Sequence, residues 1–160
     1  MYHSVEVAWK MLQIAQTKSM QLSNLQLQKL VYIAHGYLLG WKNKALISDP
    51  VEAWNYGPVV SPIYHEFKQF GDRKIPVSTD IRTALDNDEE ATSVIDGVLN
   101  LYGHLDAVKL VNLTHQSNTP WDIAWNKEGG KHSYSYSIDN EIIKNHFRKA
   151  ISDPHSVGGL

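Results

Sequence analysis

The chain has 160 residues, a formal net charge of −2 and no cysteine, which suits one domain that buries about two thirds of its unfolded surface without any disulfide. Thiol chemistry is excluded, and the lack of cysteine fits a reducing compartment. A slightly acidic chain draws no phosphate backbone from a distance, and its basic pairs (Lys42 and Lys44, Arg73 and Lys74, Arg148 and Lys149) are scattered rather than gathered on one face.

The start, Met1-Tyr2-His3-Ser4-Val5-Glu6, has no basic segment before an apolar run, and no window approaches the roughly eighteen apolar residues of a membrane helix. The chain therefore reads as soluble and cytoplasmic, with neither nucleic acid nor membrane as a partner. Residues 4 to 17 place Val7, Ala8, Met11, Leu12 and Ala15 on one face of a first helix. Ser23 or Asn24 can cap a second helix over 24 to 42, where Leu27, Leu30, Val31, Ala34, Tyr37, Leu38 and Trp41 make one apolar stripe. Gly40 and Asn43-Lys44 stop it. Val51 to Tyr56 alternates as a strand that Gly57-Pro58 breaks, giving a small antiparallel element around 45 to 56. Ser61-Pro62 restarts a helix with Ile63, Tyr64, Phe67 and Phe70 inward, ending at Gly71.

Residues 72 to 83, punctuated by Pro76, Ser78 and Thr79, read as a loop. The acidic run Asp86 to Glu90 precedes Val94, Ile95, Val98, Leu99 and Tyr102 and supplies favourable charge at a helix N-terminus. Gly103 ends that helix, and Leu105 to His115 predicts another with Ala107, Val108, Leu110, Val111 and Thr114 inward. Thr119-Pro120-Trp121-Asp122 starts a short helix reaching Trp125, and Ser137 or Asp139 starts the last, with Ile142, Ile143, His146, Phe147 and Ala150 inward. The expected fold is mainly α: a single compact helical domain over 1–150, of about six or seven helices with a small antiparallel β element, and a flexible tail over 151–160.

Eight histidines invite a metal or acid/base reading, but no two lie three or four residues apart and no HExxH occurs. His35 and His115 are expected to be structural, each ring bonded to a neighbouring polar group. A catalytic pair of His115 with Asp122 is the enzymatic alternative, unsupported by any nucleophile elbow, P-loop or dinucleotide turn. No metal and no cofactor is expected. Lys29, Tyr32 and Glu52 are polar positions inside apolar strings, suited to a buried ion pair or a partner contact. Trp54 and Trp121 are expected in the core, while the strand carrying Trp54 and Tyr56 has an edge on which a partner strand can add.

The string Leu27-Gln28-Lys29-Leu30-Val31-Tyr32-Ile33-Ala34-His35-Gly36-Tyr37 is followed by Glu52-Ala53-Trp54-Asn55-Tyr56-Gly57-Pro58-Val59-Val60, then by Leu113-Thr114-His115 and Pro120-Trp121. This series resembles the Panacea domain of SocA-like and GepA-like proteins. The resemblance implies a protein of bacteria, phages or mobile elements, of the antitoxin type, that neutralises a protein toxin by direct binding or as a proteolytic adaptor. It also implies a toxin encoded by a neighbouring gene as partner, with a protease added if the chain acts as an adaptor. On this reading Lys29, Tyr32, His35, Glu52, Trp54, Tyr56, Gly57, Pro58, His115 and Trp121 are the motif or partner-binding residues, with no catalytic role. A phage or mobile-element accessory protein that binds a host factor is the other non-enzymatic reading.

Overall fold

Helix α2 (Asn24–Lys42) organises the computed structural model, which describes residues 1–78 and 80–160. Thr79, expected in the 72 to 83 loop, lies outside the described residues. A capping box starts α2: the Ser23 hydroxyl accepts from the Gln26 N–H, and the Gln26 side chain accepts from the Ser23 N–H. Asn43 ends it in the left-handed conformation, φ 55°. Every residue from Gln26 to Gly36 is buried, so the predicted stripe is a helix covered on nearly all sides. Its neighbours are α1 (Ser4–Thr17), α3 (Ser61–Phe67), α4 (Glu89–Tyr102), α5 (Ala107–Thr114) and α7 (Asn140–Ser152). Trp41, assigned to the stripe, is 50% exposed because α2 runs past its cover there.

Among the described residues the chain has seven α-helices, with α6 at Pro120–Asp122, and one two-stranded antiparallel sheet. The closest packing is between α2 and α7. Phe147 sets its ring edge-on to Tyr32 (5.7 Å) and Tyr37 (5.1 Å), and Gly36 and Gly40 lie beneath it. A Cβ on Gly40 would come 2.9 Å from the Arg148 backbone nitrogen.

The sheet departs from expectation. Strand β1 is Glu52–Trp54 and β2 is Gly57–Val59, with Glu52 opposite Val59 and Trp54 opposite Gly57. Asn55 and Tyr56 form the tight turn, and Gly57-Pro58 opens the second strand instead of ending the first. Gly57 sits at φ +110°, which only glycine adopts without strain. Proline is tolerated in β2 because its missing N–H leaves no ladder bond unmade at this edge. The free edge foreseen for a partner strand is taken. The Ala53 N–H donates to the Tyr136 carbonyl (2.9 Å), and the Ile138 N–H donates to the Val51 carbonyl (2.7 Å).

Asp88 caps α4 by accepting from the Ala91 N–H at 3.0 Å and also accepts from the Tyr2 hydroxyl at 2.7 Å. Two other acids of the run pair with lysines: Asp86 with Lys10 (2.6 Å) and Glu90 with Lys44 (2.7 Å). Segment 72 to 83 is tied down where Ile75 is buried and its N–H donates to the Leu22 carbonyl. Val108, expected inward, is exposed, since α5 buries only Leu110 and Thr114. Residues 151–160, expected as a flexible tail, fold back. The Leu160 N–H donates to the Leu113 carbonyl (2.8 Å), His146 Nε2 bonds the Gly159 carbonyl (2.8 Å), and the Leu160 side chain is buried.

Candidate functional site

The hairpin is held from behind by buried side chains drawn from the motif strings. Gln28 and Lys29 are neighbours on the α2 turn that faces β2. The Gln28 side chain accepts from the Val60 N–H at 2.9 Å, and the Lys29 ammonium donates to the Pro58 carbonyl at 2.8 Å. On the β1 side, Trp121 Nε1 donates to the Trp54 carbonyl (2.6 Å), and Trp54 Nε1 donates to Glu52 (2.9 Å). Thr114 closes the back of the turn: a Cβ at Gly57 would stand 3.0 Å from Lys29 Nζ and 3.4 Å from the Thr114 hydroxyl. The motif thus places a chain reversal on a fixed platform.

Lys29 is 0% exposed, and burial pulls its ammonium down from 10.5 to about 7. The ion pair envisaged with Glu52 is not formed, because Glu52 is turned to the Trp54 indole and Lys29 to a backbone carbonyl. Among the described residues no ion pair involves either side chain.

Tyr32 and His35 lie away from the hairpin, on the part of α2 that meets α7. The Tyr32 hydroxyl is buried with no hydrogen-bond partner among the described residues, and burial raises its pKa. His35 Nδ1 accepts from the Leu46 and Ile47 N–H groups (3.2 and 3.4 Å), so Nε2 carries the proton and donates to Asn140 Oδ1 (3.0 Å). Burial lowers its pKa to about 4. His35 is a neutral structural histidine. His115 rests against Trp121 with ring centres 5.5 Å apart, and its buried Nδ1 has no partner among the described residues. The alternative pair with Asp122 is not made. Asp122 accepts from Asn126 Nδ2 and from the Asn118 N–H, both at 2.8 Å, bonds that hold its carboxyl below the ordinary value.

The front of the hairpin is open. Tyr56 is 70% exposed at the turn. Trp54, expected in the core, is only half-buried and packs edge-on against Tyr64 (5.1 Å), which is itself partly exposed instead of inward. The reason is the pleat: Ala53 takes the inner face of β1, so Trp54 takes the outer. Trp121 does lie in the core. Between α2, α3 and the turn is a groove of about 430 Å³, with Leu25, Trp54, Tyr56 and Tyr64 on its walls and Gln28 and Lys29 deeper. A second hollow of about 390 Å³ lies across the Trp54-Asn55 ridge, bounded by His65, Trp125 and Tyr134. The ridge thus sets half-exposed aromatic side chains between a largely apolar groove and a hollow of mixed polarity.

The structure therefore brings together Lys29, Glu52, Trp54, Tyr56, Gly57, Pro58 and Trp121, sets His115 behind Trp121, and leaves Tyr32 and His35 elsewhere. Sequence reasoning missed Leu25, Gln28, Tyr64 and Tyr134. Gln28 had one usable signal, an i,i+4 relation to Asn24, whose side chain it bonds at 3.3 Å. Among the described residues no cluster of three or more histidine, cysteine or acidic side chains is arranged to hold a metal, and no helix is long and apolar enough to cross a membrane.

Comparison with known proteins agrees with this reading of the hairpin strings. The family model described as antitoxin SocA-like, Panacea domain, matches residues 27–122. A curated relative, antitoxin SocA of Caulobacter vibrioides (strain NA1000 / CB15N), is 33% identical over 164 residues, spanning 95% of this chain and 87% of that protein. No solved structure matches the chain.

Proposed function

The chain belongs to the SocA-like antitoxin family that carries the Panacea domain, and from that membership we propose that it neutralises a protein toxin encoded by a neighbouring gene, in the cytoplasm, by binding through the hairpin face. The observation that carries the site is the hairpin tip, with Trp54 half-exposed and Asn55-Tyr56 exposed, fixed from behind by Gln28, Lys29 and Trp121. A rigid turn loses little conformational entropy on binding, so its aromatic contacts contribute more of their gross energy to affinity. Stoichiometric masking requires only this face and a second patch large enough to complete an interface of about 800 Å² per partner. The neighbouring Tyr134 hollow extends the surface in that direction. Delivery to a protease requires a further site elsewhere on the molecule, and the exposed apolar hollow formed by Trp41, Leu101 and Ile151 is separate from the hairpin.

Each adjacent gene is to be expressed under tight control with and without this chain, reading colony growth and co-purification. A neighbour that arrests growth, is rescued by this chain, co-elutes with it and escapes a Tyr56→Ala variant supports the reading. Rescue accompanied by stable co-elution favours masking, whereas rescue with loss of the toxin in a protease-dependent manner favours delivery. If no neighbour is toxic but one co-elutes, the chain is an accessory binder instead.

A further inference from the structure

We propose that the groove between α4 and α7 is a second docking surface, separate from the hairpin, and that it takes an amphipathic helix of a partner protein whose apolar face is flanked by acidic residues. Both α4 and α7 pack on α2 but scarcely on one another, which leaves a slot along α2. Helix α4 carries a wider apolar arc than the chain covers. Ala91, Ile95, Val98 and Leu99 are buried, while Val94, Gly97 and Leu101 recur at i, i+3 and i+7 beside them and line an open groove of about 230 Å³. Tyr37 and Trp41 of α2 and Ile151 of α7 complete its lining. Trp41, Leu101 and Ile151 are 50%, 62% and 44% exposed, so three large apolar side chains meet water around one recess instead of singly. Gly97 adds to this. A Cβ there would meet nothing within 4 Å, and a glycine inside a helix weakens it relative to alanine; its bare backbone lets an occupant approach α4 closely.

Charge selects the kind of helix. Basic residues that stand far apart in the sequence come together at one end of the α2–α7 pair, where a Cβ on Gly40 would lie 2.9 Å from the Arg148 nitrogen. Arg148 shares a face of α7 with Ile151 at i,i+3 spacing, whereas Lys149 falls on the other side with His146. Lys42 holds its ammonium 4.2 Å from the centre of the Trp41 ring and 3.6 Å from Glu90, and Lys44 engages the same carboxylate at 2.7 Å. Two ammonium groups thus share one acid, and Arg148 has no ion pair among the described residues. Asp96 of α4 does not line the groove and pairs with Lys18 at 2.6 Å. An almost wholly apolar recess beside a net positive rim is complemented by an apolar stripe with acids along one flank. The recess also favours a helix over an anionic bilayer, which takes up protruding apolar side chains and leaves a slot unfilled.

The probe is a peptide of two repeats of Ala-Leu-Glu-Ala-Ala-Leu-Glu, blocked at both ends, which sets leucines on one face with glutamates along one flank and is about long enough for a short helix. Its neutral counterpart has glutamine for every glutamate. Each is titrated into the full isotopically labelled chain and followed by NMR. The expected result is saturable shifts of the Trp41 indole, the Gly97 amide and the Leu101 methyl groups, with the glutamine peptide about three- to tenfold weaker and the difference closing at high salt. Gly97→Leu, whose side chain points into open space and leaves α4 intact, is expected to abolish binding of both peptides. Arg148→Glu is expected to remove the preference for glutamate, and Tyr56→Ala to change neither peptide. Equal binding of the two peptides, shifts confined to other surfaces, or no saturable shift overturns the proposal. So does adsorption to phosphatidylserine vesicles without peptide binding, which makes the patch a membrane face, or a dimer in sedimentation that Leu101→Glu abolishes, which makes it a contact between two copies. The titration needs no toxin, so its failure leaves the hairpin reading standing, and failed growth rescue leaves this groove standing.

Discussion

His35 and Lys29 share a helix and a depressed pKa, yet they do different work. His35 ties the 46–47 segment and α7 to α2 as a neutral ring. Its pKa is about 4 in the folded chain against 6.5 when free. The unfolded state therefore binds the extra proton first on acidification. The resulting stability is fully present above about pH 6.5 and lost by about pH 4, a change of about 3 kcal/mol if His35 acts alone. Urea unfolding between those limits is expected to show this slope, and His35→Gln to flatten it. His35→Ala strands the Leu46 and Ile47 N–H groups and is expected to cost about 2 to 4 kcal/mol, with partner binding retained by the folded fraction. Loss of binding without loss of stability would place His35 in the site instead. For Lys29 the sign is the same and the window higher. Its cost to stability is full below about pH 7 and is relieved as pH rises toward 10.5. The structural role of His35 was legible in the sequence as a polar residue inside an apolar string. The bonds that Lys29 and Glu52 make were not: the Pro58 carbonyl reaches Lys29 only through the hairpin, and the Trp54 indole, two residues from Glu52 on the same face of β1, is one of several partners that a strand carboxylate could take.

Among the elements, α2 shows where periodicity stops being informative. A three-and-four stripe identifies the helix, its caps and its length, but it cannot report that α3, α5 and α7 cover the opposite face, since that depends on how the rest of the chain wraps. The two glycines mark the closest approach. At Gly36 an added Cβ would fall within the Phe147 ring, which Tyr32 and Tyr37 hold in place, and at Gly40 it would press on α7 backbone. Gly36→Ala and Gly40→Ala are each expected to destabilise by about 1 to 3 kcal/mol, measured by chemical unfolding, whereas alanine at Gly97, which faces open space on α4, is expected to stabilise slightly. The hairpin was misread by one step. Alternation locates β1 and reads Gly-Pro as its end, whereas the Asn55-Tyr56 turn comes first. The pleat, with Ala53 inward, turns Trp54 outward, and the edge of β1 is not free. The edge is covered by residues 136–138, a pairing of distant segments that local sequence does not encode.

For the molecule as a whole, the same hairpin that closes the core also presents the exposed Tyr56 ring, so stability and binding separate cleanly at Tyr56. Tyr56→Ala is expected to leave stability within about 0.5 kcal/mol and to weaken partner binding by about tenfold or more. The returning tail is part of the same body: Leu160→Ser is expected to cost about 1 to 2 kcal/mol, seen as a lower thermal midpoint. Capture of a toxin by the hairpin face is tested by co-purifying the chain and its Tyr56→Ala variant with a growth-arresting neighbour, read beside colony growth. The chain is expected to restore growth and co-elute, and the variant, equally folded, to do neither. Rescue and co-elution undiminished in the variant would contradict the hairpin site, and no toxic neighbour at all would contradict the antitoxin role.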